Sequence, residues 1–289
     1  MRALLFGFAL VSLALGLAAT ATGGTDAPAQ IRGCAKSNLN LLTEGQLSLA
    51  TDNPAFNPWW AGGSRTNVWE LNDPSTGKGY ESAVAYEIAR RLGFRKSEVT
   101  WRAVPFLRSF APGTKPFDWY MAQVSITPER KRTVTFSTGY YDVNQAVVAL
   151  KTNRLARVRS FAGLKGYKLG AQVGTTSYSY ITSFIKPSQS PALYDSNADA
   201  VAALKNKQID GLVVDFPSTG FITAVQVPTS KVVGRLPNRG PQEKFGLVFQ
   251  RSNPLVTCVN RALAAIKKDG TLKRLETRWL GKTGAPILK

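Results

Sequence analysis

The sequence contains no histidine among its 289 residues and only two cysteines. The lack of histidine excludes Ser-His-Asp and Cys-His nucleophile chemistry and every metal site built on imidazole. The chain also lacks a Cys-x-x-Cys pair, a phosphate-binding Walker loop and a Gly-x-Gly-x-x-Gly run after a strand. The sequence therefore excludes much enzyme chemistry, and it predicts neither a cofactor nor a metal ion.

Acidic residues are scarce, because 18 aspartates and glutamates stand against 37 lysines and arginines, a formal charge of +19. A field of this sign attracts polyanions. The basic residues are scattered and form no run, and the export predicted below argues against a nucleic-acid partner. Anionic envelope polymers, lipid headgroups, or simply solubility in an unusual medium are the alternatives left open.

Long apolar runs are limited to the amino terminus. Residues 1–21 carry one positive charge, an apolar run and small residues at the end, which is the composition of a secretory signal peptide. The polar segment that follows, 22–45, is predicted to be a tether. We therefore expect a periplasmic or extracellular, envelope-associated protein after removal of the signal peptide. Its length suits two domains.

The two cysteines, Cys34 and Cys258, are predicted to form a disulfide, because an exported chain matures in an oxidising compartment. Two alternatives stay open at this stage. Cys34 could carry a lipid, although the charged Arg32 makes a poor lipidation signal. Both cysteines could also be free thiols.

Periodicity predicts alternating strands and helices, the pattern of α/β lobes. Strands are predicted at 47–51, 99–104, 144–150 and 209–214, and helices at 81–92, 196–207, 254–268 and 271–280. The stretch 117–130 is predicted to be a strand that runs into a polar turn and a helix start. Because Ser125, Thr127 and Arg130 fall together at this helix start, the stretch is suited to a small carboxylate. An ordinary helix cap with a solvated arginine is the alternative.

Several motifs together resemble the polar amino acid binding proteins of bacterial ABC importers, the extracellular solute-binding proteins of family 3. The likeness covers about 47–281. It is carried by Ser125-Ile126-Thr127-Pro128-Glu129-Arg130, by Phe136 to Tyr141, by Thr51 to Phe56, by Gly79-Tyr80-Glu81, by Gly174-Thr175-Thr176, by Ile209-Asp210-Gly211 with Asp215, and by Asp269-Gly270-Thr271.

The resemblance implies the two-lobed α/β fold of a type II periplasmic binding protein, with two crossover segments and a ligand cleft between the lobes. We expect residues 46–148 plus 246–289 to form the first lobe and 149–245 to form the second.

The resemblance also implies a set of ligand-binding residues. The α-carboxylate of an amino acid is expected on Arg130 with hydroxyls, and its α-ammonium on an acidic residue. An aromatic wall and an amide complete the expected set, which is Asp52, Phe56, Phe106, Gln123, Ser125, Thr127, Arg130, Thr175, Thr176 and Asp215. Asp215 as a helix cap, and Trp59 and Trp60 as loop packing, are the alternatives.

The expected function is capture of a free amino acid by a monomeric, non-enzymatic binding protein that delivers it to an ABC permease in the membrane. One alternative is an exported enzyme on the same scaffold, such as a cyclohexadienyl or arogenate dehydratase, with Glu81 as general acid. Ala83 stands where relatives commonly carry a second acid, which weakens any role that requires a carboxylate pair. The other alternative is a basic protein that binds envelope polymers.

Overall fold

The computed structural model describes residues 31–66, 68–281 and 284–289. The predicted signal peptide, and the tether as far as residue 30, lie outside the described residues. Within the described ranges, the helices are all too short or too polar to cross a membrane.

Twelve strands are found in the described residues, and two of the longer ones, Leu47–Thr51 and Gln145–Leu150, are buried along their whole length. Near-continuous apolar runs are typical of strands that are covered on both faces. The strands are β1 Leu47–Thr51, β2 Val99–Ala103, β3 Trp119–Tyr120, β4 Val134–Phe136, β5 Tyr141–Asp142, β6 Gln145–Leu150, β7 Leu169–Gln172, β8 Ala192–Tyr194, β9 Gly211–Asp215, β10 Ser230–Arg235, β11 Lys244–Phe245 and β12 Val248–Gln250.

The strands form two five-stranded sheets, each at the centre of one lobe. The first lobe has the order β2-β1-β3-β12-β4, and the second has the order β10-β6-β9-β7-β8. In the first lobe β1 runs parallel to both neighbours, so that Leu49 pairs with Trp101 on one side and Trp119 on the other. Both sheets are therefore mixed, with parallel strands flanked by antiparallel ones.

The two crossings between lobes pair with each other as a short antiparallel ladder. Tyr141 of β5 lies opposite Phe245 of β11. Because all of β6 belongs to the second sheet, the predicted boundary at 148/149 falls inside a strand, and the chain crosses before Gln145. The return crossing ends before Val248, close to the predicted position.

Eight α-helices cover the sheets in the described ranges. They are α1 Tyr80–Arg91, α2 Phe106–Ser109, α3 Pro128–Lys131, α4 Thr176–Tyr180, α5 Asn197–Lys205, α6 Ser218–Phe221, α7 Leu255–Lys268 and α8 Thr271–Leu280. The four longest match predicted helices within one or two residues at each end. At the start of α1, Gly79 has a φ of 93°, and a Cβ there would collide with the backbone of Trp59, so the close approach requires glycine.

The amino-terminal segment packs onto the first lobe. Cys34 and Cys258 form a disulfide, as predicted, which fastens this segment to α7. The carboxylate of Asp118 accepts the backbone N–H groups of Leu42 and Ser48 at 2.9 and 2.7 Å. Residues 31–45, which the sequence assigns to a tether, are therefore part of the folded lobe.

The C-terminal tail, residues 284–289, departs from the predicted domain assignment. After α8, whose Leu280 is buried in the first lobe, the tail pairs with β10 of the second. The Leu288 N–H donates to the Arg235 carbonyl at 2.9 Å, and the Arg235 N–H donates to the Pro286 carbonyl at 2.8 Å. The chain thus connects the lobes a third time.

Candidate functional site

A cavity of about 610 Å³ lies between the two lobes. In both sheets it is approached by the carboxyl ends of strands: β1 ends at Thr51 in the first lobe, and β9 ends at Asp215 in the second. This is the edge at which open α/β sheets bind ligands. We call it the interlobe cavity.

Nine of the ten predicted binding residues line the interlobe cavity. They are Asp52, Phe56, Phe106, Gln123, Ser125, Arg130, Thr175, Thr176 and Asp215. The tenth, Thr127, is not among the lining residues. Its hydroxyl instead accepts the backbone N–H of Arg130 at 3.2 Å and caps α3. Thr127 thereby fixes the helix that carries Arg130.

The Arg130 side chain is buried and joins the two lobes. Its guanidinium donates to the Ser125 carbonyl at 2.7 Å and, across the cavity, to the Gly174 carbonyl at 2.9 Å. It also stacks on Phe110, with 4.4 Å from Cζ to the ring centroid. Burial lowers the pKa of Arg130 to about 10, which leaves it charged at neutral pH. Of its five N–H groups, two are engaged by these carbonyls and three are left for an anion.

Hydroxyl groups from both lobes meet near Arg130. Ser125 and Thr176 lie 3.4 Å apart across the cavity, Oγ to Oγ1. Ser125 donates to the carboxylate of Glu243, on the return crossing, at 2.6 Å. Thr175 caps α4 by accepting the N–H of Tyr178 at 3.2 Å. The α4 start is thus held against the Arg130 end of the cavity.

Asp215 faces the cavity and does not cap a helix. The following helix, α6, begins after Pro217 and has no side-chain cap. The Asp215 carboxylate instead accepts the Gln145 amide at 2.7 Å, and the same amide donates to Glu243 at 3.1 Å. Burial and the neighbouring Glu243 raise the pKa of Asp215 well above its usual range. A cation beside this pair of carboxylates would therefore be stabilised.

The first-lobe wall combines an acid with aromatic rings. Burial raises the pKa of Asp52 to about 6. Phe56 reaches across to Phe221 of the second lobe, with ring centroids 6.5 Å apart. Phe106 lies 5.4 Å from the Arg130 guanidinium. The buried Thr51 hydroxyl, also on the lining, has no hydrogen-bond partner in the part of the chain that the structure describes.

The two adjacent tryptophans differ in role. Trp59 is 1% exposed and packs edge-on against Tyr80, while its indole N–H donates to Ser218 of the second lobe at 3.0 Å. Trp59 therefore packs the loop, which is the second of the two roles considered for it, and also bridges the lobes. Trp60 is nearly as buried, but it contributes to the cavity lining.

Glu81 holds the backbone of Gln123 and is removed from the cavity. Its carboxylate accepts the Gln123 N–H at 2.8 Å, the Gln123 side-chain amide and the Tyr140 hydroxyl. These bonds support the positive φ of 51° at Gln123. Glu81 is fully buried and does not belong to the lining residues, and its burial raises its pKa to about 7. It is positioned to shape the loop, and not to donate a proton to a ligand.

Three polar residues of the site were missed by sequence reasoning. Gln145 opens a buried strand, Glu243 lies on a crossing, and Asp195 follows β8. None of the three belongs to a local motif that separates it from ordinary surface polar residues. Only the pairing of the two crossings brings Glu243 to Gln145.

Proteins of similar sequence include several that are named for the amino acid they bind. ABC transporter arginine-binding protein 1 of Escherichia coli (strain K12) is 32% identical over 171 residues, 57% of this chain and 67% of that protein. The L-cystine-binding protein TcyJ of the same organism is 27% identical over 204 residues, 70% of this chain and 74% of that protein.

Solved structures share the fold. An ancestral arginine-binding protein bound to arginine superposes with a TM-score of 0.65 at 27% identity, covering 81% of this chain and 98% of that one. An ancestral amino acid-binding protein described as a precursor of cyclohexadienyl dehydratase superposes with a TM-score of 0.64 at 27% identity, covering 82% of this chain and 95% of that one. The predicted fold class, a type II periplasmic binding protein, is confirmed.

The family model for bacterial extracellular solute-binding proteins, family 3, matches residues 66–282, about three quarters of the sequence. Together with the two lobes and the cavity between them, this match identifies the chain as a member of the bacterial extracellular solute-binding proteins, family 3.

Proposed function

We propose that the protein is the exported binding component of an ABC importer and that it captures a free amino acid in the interlobe cavity. The α-carboxylate lies on the free N–H groups of Arg130, with the Ser125 and Thr176 hydroxyls beside it. The α-ammonium lies on Asp215, and Phe56 and Phe106 flank the side chain. Membership of a solute-binding family, whose named relatives bind amino acids, supports this function.

One observation carries the proposal: a cation from the first lobe and a carboxylate from the second line the same cavity. A zwitterion satisfies both halves at once, whereas a simple carboxylate or amine satisfies only one. A ligand that interacts with both lobes binds the closed form more tightly than the open form, and it therefore drives closure. The closed, monomeric form is the one that a membrane permease would receive.

Arg130→Ala is the direct test of the proposal. Removing one member of a buried, hydrogen-bonded charge pair costs about 2–5 kcal/mol, so the affinity should fall by a factor of about 30 or more. We would measure it by isothermal titration of the mature protein with each of the standard amino acids. Arg132→Ala is the matched control, because Arg132 is exposed and lies two residues away.

An affinity of Arg130→Ala within threefold of the parent protein would contradict the carboxylate assignment. Failure of the parent protein to bind any standard amino acid would contradict the proposed function itself. Purification in denaturant, followed by refolding, removes any amino acid carried over from the host before titration.

The dehydratase alternative is the weaker one. The family and its named members are solute-binding proteins, which are not enzymes, and one structural neighbour is a precursor of a dehydratase, itself described as amino acid-binding. Glu81, the general acid that this alternative requires, is buried under Gln123 and Tyr140. Secretion through the predicted signal peptide fits the binding role and is testable by sequencing the mature amino terminus.

A further inference from the structure

The interlobe cavity is acidic, although the protein as a whole is strongly basic. Its lining, among the described residues, contains the carboxylates of Asp52, Asp195 and Asp215 against a single cation, Arg130. The whole chain has the opposite balance, with 37 basic and 18 acidic residues. Glu243 adds a fourth carboxylate behind the lining through its bond to Gln145.

These carboxylates form no direct ion pair within the described ranges, although the Arg130 charge on the same lining lowers the pKa of Asp215. The ion pairs found there involve none of Asp52, Asp195, Asp215 or Glu243. Asp195 is exposed and Asp52 and Asp215 are half-buried, so closing the lobes further around a ligand removes water from these carboxylates, which is unfavourable unless a positive charge compensates them. A neutral zwitterion leaves the excess of negative charge unchanged, whereas a ligand with a net positive charge reduces it.

Two of the acids are left over once the α-groups are assigned. Arg130 and Asp215 hold the α-carboxylate and α-ammonium under the proposed function. Asp52 of the first lobe and Asp195 of the second then line the rest of the cavity, and the side chain of Asp195 makes no hydrogen bond or ion pair with any other described residue. The unpartnered Thr51 hydroxyl, next to Asp52 in the chain, is a further acceptor.

We infer that the cavity selects an amino acid whose side chain is cationic and rich in N–H donors, and that Asp195, together with Asp52 and the Thr51 hydroxyl, recognises that side chain. The inference rests on the proposed function and narrows its ligand class. The carboxylates attract the side-chain charge, and the lone hydroxyl accepts one of its N–H groups. An acidic side chain would add to the excess of negative charge and is rejected.

L-arginine and L-citrulline test the inference, because they match in shape and differ in side-chain charge. Isothermal titration of the mature protein should give about tenfold or more tighter binding of L-arginine than of L-citrulline. Asp195→Asn should reduce this ratio severalfold, chiefly by weakening L-arginine. Asp199→Asn, an exposed acid of the same lobe outside the lining, should leave the ratio unchanged.

Equal binding of the two ligands, or tighter binding of L-citrulline, would overturn the cationic selectivity while leaving amino acid binding intact. A ratio in Asp195→Asn equal to that of the parent protein would overturn the role of Asp195. The first comparison uses the parent protein alone, so it stands even where a variant folds poorly. Absence of binding by every amino acid would instead count against the proposed function.

Discussion

Three carboxyl groups, on the buried Glu81 and the half-buried Asp52 and Asp215, have pKa values raised by their removal from water. A carboxyl group whose pKa is higher in the folded state binds more protons there than in the unfolded state. Its contribution to stability is therefore present at low pH and is lost as the pH rises through the folded-state pKa. For Glu81 that window runs from its ordinary value of 4.5 to about 7.

We predict that the ligand-free protein is more stable at pH 5 than at pH 7.5, with about 3 kcal/mol of the difference due to Glu81, since each unit of pKa shift contributes roughly 1.4 kcal/mol. Urea denaturation at a series of pH values measures this difference. Glu81→Gln should flatten the pH dependence, because Gln does not titrate. A free energy of unfolding that rises between pH 5 and pH 7.5 would contradict the prediction.

Residues at strand ends were the predictable part of the candidate site. Asp52 and Asp215 each follow an apolar run, and the α/β pattern brings such ends to one edge. Thr127 was predicted by the same motif as Arg130, yet its hydroxyl is used to cap α3. The placement of Asp195 and Glu243 in the site depends on how separate elements pack against each other. No local sequence pattern encodes this packing.

At the scale of elements, the longer helices and the longer strands were predicted well, with β1 matching its predicted range residue for residue, whereas the two-residue strands were not. The predicted helix at 254–268 is α7 almost residue for residue, because its buried face repeats at helical spacing. The predicted strand in 117–130 is reduced to the two residues of β3. A paired strand of two residues is defined by its partner, and so β5 was not predictable from sequence.

The disulfide is the element-scale feature with the largest expected effect on stability. It closes a loop with a sequence separation of 224 residues between the amino-terminal segment and α7. Because cross-linking restricts the unfolded chain, we predict that Cys34→Ser with Cys258→Ser lowers the free energy of unfolding by about 3 to 5 kcal/mol. Chemical denaturation with and without reductant measures the loss.

Ligand affinity provides the control for that experiment. Neither cysteine lines the interlobe cavity, so the double variant should bind its amino acid with unchanged affinity under conditions where it is folded. A reductant should have no effect on the double variant. Equal stability of the oxidised protein and the double variant would contradict the assigned role of the disulfide.

At the scale of the whole molecule, the C-terminal tail adds a connection between lobes that the two-crossover expectation did not include. Leu288 is buried in the second-lobe core, and Gly234 leaves room for it, since a Cβ at Gly234 would lie 2.6 Å from Leu288 Cγ. The tail is short and follows the last helix, and nothing in its sequence indicates to which lobe it returns.

Leu288→Ala should destabilise the protein by about 2 to 5 kcal/mol, the usual cost of removing a buried leucine side chain. Amide exchange should accelerate at Arg235 and Phe161, whose N–H groups donate to carbonyls of the tail. Ile287→Ala is the matched control, because Ile287 is 49% exposed. Slow exchange at both amides in Leu288→Ala would contradict the proposed docking of the tail.

The position of Lys289 affects how the molecule can be labelled. The carbonyl of Lys289 accepts the Phe161 N–H at 2.6 Å, so residue 289 is held to the second lobe by a hydrogen bond. A purification tag fused at residue 289 would strain this hydrogen bond. A fluorophore attached at residue 289 would move with the second lobe, although the preceding helix, α8, belongs to the first. Dye pairs that report the opening and closure of the two lobes should therefore count residue 289 as a second-lobe position.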